Sequence, residues 1–298
     1  MYSMYLSKVS YSIRASAIVL VTATLALLIA PADAGATEFE ASVAPDGKFV
    51  TKMFPKFFFT SAYFDDDGKV RNLQNVTGLL YIELPLQVQY GITGWLSVGA
   101  VVPLGITYQE EETRDDPIGR FAVREVWLTV QHRWLTFPFI SSSSLRVKIP
   151  VQDKKNWEDG LRIGDGQVDL FPIYHFDYIN RTIHCYLQFS TGYKFRLKKD
   201  DYKPLDEIRF YSRAGFELFS DLQMRFFLFA DLTKFTNGEY PWPDRPFYEE
   251  EGALYTFGYG VSLWPRPDFR FEISTGGDWA GENQYRGIRW IIGATKIF

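Results

Sequence analysis

From about residue 51 to its last residue the chain alternates apolar and polar side chains with a period of two. Over 182–198 the odd positions are Ile183, Cys185, Leu187, Phe189, Thr191, Tyr193, Phe195 and Leu197. They are set against His184, Tyr186, Gln188, Ser190, Gly192, Lys194, Arg196 and Lys198. Successive side chains of a β-strand point to opposite faces, so this is a strand with one apolar and one polar face. Phe269, Phe271 and Ile273 alternate in the same way with Arg270, Glu272 and Ser274, and Met224, Phe226 and Leu228 with Arg225, Phe227 and Phe229. Twelve such segments are expected, at about 51–64, 76–90, 95–109, 121–135, 144–152, 166–178, 182–198, 208–219, 222–235, 252–264, 268–280 and 284–298. The expected fold is therefore all-β.

Strand length separates a membrane barrel from a soluble sandwich. Sandwich strands average about 5 or 6 residues, whereas these segments approach or exceed the roughly 9 to 11 that a tilted strand needs to cross a bilayer. Their connections mostly alternate between short turns (91–94, 179–180, 220–221, 265–267, with a longer 136–143 connection) and long polar loops (65–75, 110–120, 153–165, 199–207, 236–251). Short turns on one rim and long loops on the other is the plan of an outer-membrane barrel. Charge falls accordingly. Leaving out the poorly patterned first segment, the polar parity carries eleven bases (Arg133, Arg146, Lys148, Lys194, Arg196, Lys198, Arg209, Arg213, Arg225, Arg270, Arg289) and eight acids (Glu83, Glu125, Asp169, Asp177, Glu217, Asp231, Glu272, Asp278). The apolar parity carries only Arg124, Lys234, Arg286 and Lys296, all near strand ends, where a lipid-facing charge costs about 0 to 1 kcal/mol. The expectation is a transmembrane antiparallel up-and-down barrel of about 12 strands, with its N- and C-termini in the periplasm.

Composition fits. The 298 residues include 26 Phe, 18 Tyr and 8 Trp, yet the mean hydropathy is slightly polar at -0.14. A barrel resolves this by turning its apolar side to lipid. Tyr90, Trp95, Trp134, Tyr178, Trp264, Phe269 and Phe298 beside the short turns, and Tyr108, Phe195, Phe235, Tyr255, Trp279 and Tyr285 near the long loops, are expected to form the two interfacial girdles. A net charge of -4 gives no basic footprint for nucleic acid, and the single Cys185 excludes a disulfide scaffold. Lys8 and Arg14, the apolar run Ala15 to Ala30 and the small-x-small Ala32-Asp33-Ala34 read as a secretory signal over 1–34. A short periplasmic segment, 35–49, and a barrel, 50–298, are expected to follow.

Gly293 and the terminal Phe298 resemble the signal read by the outer-membrane barrel assembly machinery, although Lys296 stands where that pattern has an apolar residue. The run Leu86 to Pro103, with Gly91-Ile92-Thr93-Gly94 as its turn and Val102-Pro103 at its end, resembles a family of outer-membrane channels linked to the phenol meta-cleavage pathway. Leu145 to Pro150 resembles another strand of that family, and Gly164-Asp165-Gly166-Gln167-Val168-Asp169 the element after it. The chain departs from the family at Pro150-Val151-Gln152, where Pro-Thr-Gly is usual, and at Arg124-Glu125, near a position where Gly-Asp is common. The resemblance implies a barrel and uptake of small apolar or aromatic solutes.

The candidate channel lining is His175, His184, Lys194, Arg209, Tyr211, Arg213, Arg225, Phe227, Phe229, Asp231, Arg270, Glu272 and Arg289. A two-residue turn at Ile179-Asn180 would pair His175 with His184, Asp165 with Lys194 and Asp169 with Ser190. Two facing imidazoles either begin an incomplete metal site or fill a polar lumen; no resident metal or cofactor is expected. A three-residue turn after Leu218 would pair Arg209 with Asp231 and Tyr211 with Phe229. The lumenal charges either brace the barrel or guide an anion. No histidine stands in the His-x-Ser pattern of the barrel lipid hydrolases, and enzymatic activity is not expected. Pro85, Pro103, Pro150 and Pro172 sit inside expected strands, where each lacks a ladder donor. The acidic triplets Asp65-Asp66-Asp67, Glu110-Glu111-Glu112 and Glu249-Glu250-Glu251 either bridge to lipopolysaccharide through cations or stay hydrated. Two function classes remain: a narrow, solute-selective channel, and a non-conducting structural or lipid-related barrel, a lipid-modifying enzyme included.

Overall fold

In a membrane, the N–H and C=O groups along both edges of a strand must be bonded within the protein. In the computed structural model, which describes residues 41–73, 76–111, 118–123, 125–151, 166–180, 182–198, 203–219, 224–238 and 250–298, they are bonded by a sheet that closes on itself. The expected signal over 1–34 lies outside these residues. The strands are β1 (Phe49–Met53), β2 (Lys56–Phe64), β3 (Val70–Asn72), β4 (Val76–Thr93), β5 (Leu96–Glu111), β6 (Ile118–Val123), β7 (Glu125–Leu135), β8 (Phe139–Pro150), β9 (Asp169–Asn180), β10 (Cys185–Arg196), β11 (Asp206–Phe219), β12 (Met224–Thr236), β13 (Gly252–Arg266), β14 (Phe269–Glu282) and β15 (Gln284–Ile297). Three staves of the barrel are each made of two pieces: β1 with β2, β3 with β4, and β6 with β7. The result is a closed antiparallel barrel of twelve staves. The first stave, β1 and β2, pairs with β4 on one side and with β15 on the other.

The prolines gather where the ladder is interrupted. The first stave breaks at Phe54-Pro55, beside Pro85 of β4, which itself stands directly opposite Pro103 of β5. A residue without an N–H is tolerated where the neighbouring strand asks for no donor. Pro150 ends β8, opposite Glu125, and Pro172 faces Leu145.

Three turns differ from the sequence expectation, the one between β11 and β12 through a shifted pairing. Strand β9 runs to Asn180 and β10 begins at Cys185, so the turn is four residues long and the pairing sets His175 opposite Ser190 and Asp169 opposite Arg196. The cause is local. Asn180 Oδ1 accepts hydrogen bonds from the backbone of Thr182 (3.0 Å) and Ile183 (3.2 Å), and His184 adopts a left-handed φ of 51°. The second difference is β8, which begins at Phe139, so that Ser141 to Ser144 are strand residues. Serine carries no apolar signal, but here its hydroxyls bond across the ladder, Gln131 to Ser142 at 2.9 Å and Ser141 to Tyr174 at 2.9 Å.

The usual distribution of side chains is inverted. Leu128, Leu187, Phe257, Ile288 and Trp290 are exposed on the outer face, while Asp169 (0%), Arg213 (2%) and Lys148 (3%) are buried inside. Tyr90, Trp95, Trp134 and Phe298 are exposed beside the short turns, and Phe195, Tyr255 and Trp279 near the long loops, as girdle residues require. Three expected girdle residues belong elsewhere. Trp264 and Phe235 lie on the inward parity of their strands and line cavities, and Phe269 is buried. Lys296 is buried as well; its ammonium is 2.7 Å from Asp268 Oδ2 in the preceding turn, which neutralises a charge that stands on the apolar parity of the sequence.

At the short-turn rim the two ends of the sheet are tied together. Phe298 N donates to Phe49 O at 2.8 Å, and Phe49 N to Phe298 O at 3.3 Å. Deleting Phe298 is therefore expected to lower the yield of closed barrel by more than the loss of one ring contact would, read as the heat-modifiable gel band after refolding into vesicles. A yield equal to that of the wild type would remove Phe298 from closure.

Candidate functional site

The lumen is layered. At the short-turn rim, Ala41 to Pro45 lie inside the barrel mouth. Ala41 N donates to Asp177 Oδ2 of β9 at 3.1 Å, while Pro45 packs on Gly91 of β4, four staves away around the barrel. Gly91 is required there, because a Cβ would stand 2.0 Å from the Pro45 carbonyl oxygen. Gly47 N also donates to Gly91 O at 2.9 Å, and Gly91 N to Lys48 O at 3.0 Å. The part of the 35–49 segment that is described thus crosses the mouth instead of hanging free.

Above it comes a layer of guanidinium groups. Glu272 accepts Arg213 Nη1 (3.3 Å) and Nη2 (3.0 Å) in bidentate fashion and pairs with Arg270 as well. Arg213 also donates through Nε to the Tyr186 hydroxyl at 3.0 Å and lies 3.4 Å over the Phe227 ring. Arg225 and Arg270 stand 4.4 and 4.9 Å over Trp264. A small cavity of about 40 Å³ is enclosed between these groups and Asp177.

Two larger cavities adjoin one another. The first, about 350 Å³, is lined by Tyr211, Phe229, Phe235, Leu254 and Ile291, together with Arg209, Asp231, Glu272 and Arg289. The second, about 180 Å³, is lined by Trp127, Phe171, Val101, Arg146, Glu125 and Lys194. Phe54, Glu83 and Arg209 line both and form the waist between them. The charges on these walls are joined in pairs: Lys56 to Glu83 at 3.1 Å, Lys194 to Glu207 at 2.8 Å, Arg289 to Asp278 at 3.0 Å, and Arg209 Nε to Asp231 Oδ1 at 2.9 Å. Arg196 also pairs with Glu207, and Lys148 with Asp169 at 2.7 Å. This is the bracing arrangement, with acids and bases compensated along the walls rather than a basic track.

A solved structure shares this fold. An outer membrane channel from Pseudomonas putida F1 superposes with a TM-score of 0.73 at 12% identity, over 89% of this chain and 100% of that one. The fold is that of an outer-membrane channel. Weaker likenesses are to a NanC porin (TM-score 0.48, 9% identity, 82% of this chain and 98% of that one) and to the CymD monoaromatic hydrocarbon channel (0.42, 10%, 85% and 89%). No protein-family model matches the chain, and no curated protein matches it.

Most of the expected lining residues meet inside this fold. Arg209, Tyr211, Phe229, Asp231, Glu272 and Arg289 surround the larger cavity, Lys194 lines the second, and Arg213, Arg225 and Arg270 line the smallest. The pairing of β11 with β12 is shifted by two residues from the expected one, setting Arg209 opposite Thr233 and Tyr211 opposite Asp231. The expected contacts nonetheless form, diagonally: Arg209 pairs with Asp231, and the rings of Tyr211 and Phe229 stack at 6.2 Å.

The histidine pair does not form. His175 is buried in the wall, its Nε2 3.0 Å from Ser144 Oγ and its Nδ1 2.9 Å from Ser190 Oγ. His184 sits in the exposed turn, 3.3 Å from Glu217. Among the described residues no group of three metal-binding side chains occurs. Asp165 and parts of the second and third acidic triplets lie outside the described residues. In the first triplet, Asp65 accepts hydrogen bonds from the backbone of Asp67 (3.1 Å) and Lys69 (2.7 Å) and from Arg71 Nε (2.7 Å). The Arg71 guanidinium holds the Asp65 carboxyl below its usual range. Asp65 therefore serves its own loop.

Sequence reasoning placed Glu83 on the polar parity but missed Phe54, Lys56 and Glu207 as cavity residues. Alternation around Phe54 is hidden by the run Phe57-Phe58-Phe59 and by the break at Pro55; Glu207 lies one residue before the expected start of its strand.

Proposed function

We propose that this chain is a passive channel of the bacterial outer membrane, selective for small apolar or aromatic compounds. The observation that carries the proposal is the pair of adjoining, aromatic-lined cavities inside a closed sheet whose outer face is apolar. The shared fold with a solved outer membrane channel supports it. Twelve strands enclose less space than the 16 to 18 of a general porin, and paired charges on the walls favour no particular ion. In this proposal the segment 1–34 is a cleaved export signal and the short-turn rim faces the periplasm. The partners are outer-membrane lipid, lipopolysaccharide and the assembly machinery that reads Gly293 and Phe298, and no reaction is catalysed.

The test is conductance of the refolded protein in planar bilayers together with uptake of a radiolabelled arene into proteoliposomes. Small, weakly ion-selective currents and uptake above that of protein-free vesicles are expected. Neither current nor uptake would overturn the proposal in favour of a non-conducting barrel, the alternative that the Ala41 to Pro45 segment across the mouth favours.

A further inference from the structure

Five of the inward rings share a device that the alternation alone does not contain. Phe54, Phe171, Tyr186, Phe227 and Phe229 each lie over a glycine of another strand. A Cβ on Gly293 would stand 2.5 Å from the Phe54 ring, one on Gly192 2.7 Å from Phe171, one on Gly215 2.6 Å from Tyr186 and one on Gly260 2.4 Å from Phe227. Phe229 has two such seats, 2.4 Å from a Cβ built on Gly258 and 2.8 Å from one built on Gly276. A ring that takes the space of a missing side chain is laid back against the wall and turns a face to the lumen.

What that face is good for is visible one step along β12. Over Phe227 the occupant is the Arg213 guanidinium, 3.4 Å from the ring centroid. Phe229 is the same device with the 350 Å³ cavity above it and the Tyr211 ring stacked beside it at an interplanar angle of 26°. That volume is at the low end of small-molecule sites, which suits one ring system. All seven charged residues on its walls are engaged in ion pairs. An ionic solute would have to break a pair to be compensated, while a neutral solute leaves them intact.

We infer that the Phe229 wall of the larger cavity, seated on Gly258 and Gly276, is a stacking site for a neutral single-ring arene. The inference names the solute class and the contact for the proposed channel and is read by binding, so it stands or falls apart from conductance.

Binding to the refolded full-length barrel in lipid nanodiscs is measured by saturation-transfer NMR with three probes: benzyl alcohol, its saturated counterpart cyclohexylmethanol, and benzoate. Benzyl alcohol is expected to bind roughly threefold to tenfold more tightly than cyclohexylmethanol, the range that one aromatic contact supplies, and benzoate more weakly than benzyl alcohol. Phe229→Leu, which keeps bulk without a face, is expected to abolish the preference for the unsaturated ring. Should that variant fail to show the heat-modifiable band of a closed barrel, Gly276→Ala reads the same point, because its Cβ meets the movable Phe229 ring most closely, at 2.8 Å, with the Phe257 carbonyl oxygen next at 3.2 Å; it is expected to reduce the preference by tilting that ring. Equal binding of the two alcohols, a preference untouched by the folded variant, or benzoate binding as tightly as benzyl alcohol overturns the inference. Ring-selective binding without current would leave the stacking site standing while the channel proposal fails. Uptake without ring selectivity would do the reverse.

Discussion

Replacing Glu272 with alanine is expected to destabilise the barrel by about 3 to 5 kcal/mol, the cost of leaving buried cations without their carboxylate. Two guanidinium groups depend on this one residue: Arg213, held in bidentate fashion at 3.0 and 3.3 Å, and Arg270. Arg213 and Arg270 are almost wholly buried, so water is poorly placed to take over. Urea unfolding of the refolded protein in vesicles, followed by tryptophan fluorescence, measures the effect. Exchanging all three together for Met, Met and Leu is expected to be far milder, because no charge is then left unpaired. A loss below about 1 kcal/mol for Glu272→Ala, the scale of an exposed pair, would mean that the layer is solvated and not a brace.

The second large effect concerns the barrel mouth. Gly91→Val is expected to raise single-channel conductance severalfold. Its side chain would occupy the position of the Pro45 carbonyl and so drive the Ala41 to Pro45 segment off the β4 wall. The two backbone bonds between Gly91 and residues 47 and 48 would be lost with it. Unchanged conductance in a folded variant would show that the segment does not limit passage, and the narrowest point would then fall at the waist of Phe54, Glu83 and Arg209.

The fold was legible because a barrel in lipid leaves its mark on every second residue. The inward placement of Arg213, Arg225, Arg270 and Glu272 follows from parity alone, and parity survives the errors in register. The pairing of β9 with β10 differs from expectation by six in the sum of paired residue numbers and that of β11 with β12 by two, both even, so every side chain keeps its face. What parity cannot supply is the partner. His175 and His184 share a face in the sequence but are separated by a turn whose length depends on Asn180 bonding its own backbone. The cavities were invisible for a different reason. They depend on glycines such as Gly258, Gly276 and Gly293, which a hydrophobicity pattern scores as blanks and which here decide where the rings lie.

The closure of the first stave on the last also governs how the protein is made. Thr60 Oγ1 bonds the carbonyl of Arg286 across 226 positions of sequence, and no shorter-range contact can substitute for that seam. Until β15 has paired with β1 and β2, the sheet carries two raw edges, each able to pair with any other extended chain. The loop entropy of joining them is spent before the seam gives anything back. Assembly therefore depends on that closure, and the hazard before it is not exposure of the apolar face alone but an open hydrogen-bonding border that β15 seals.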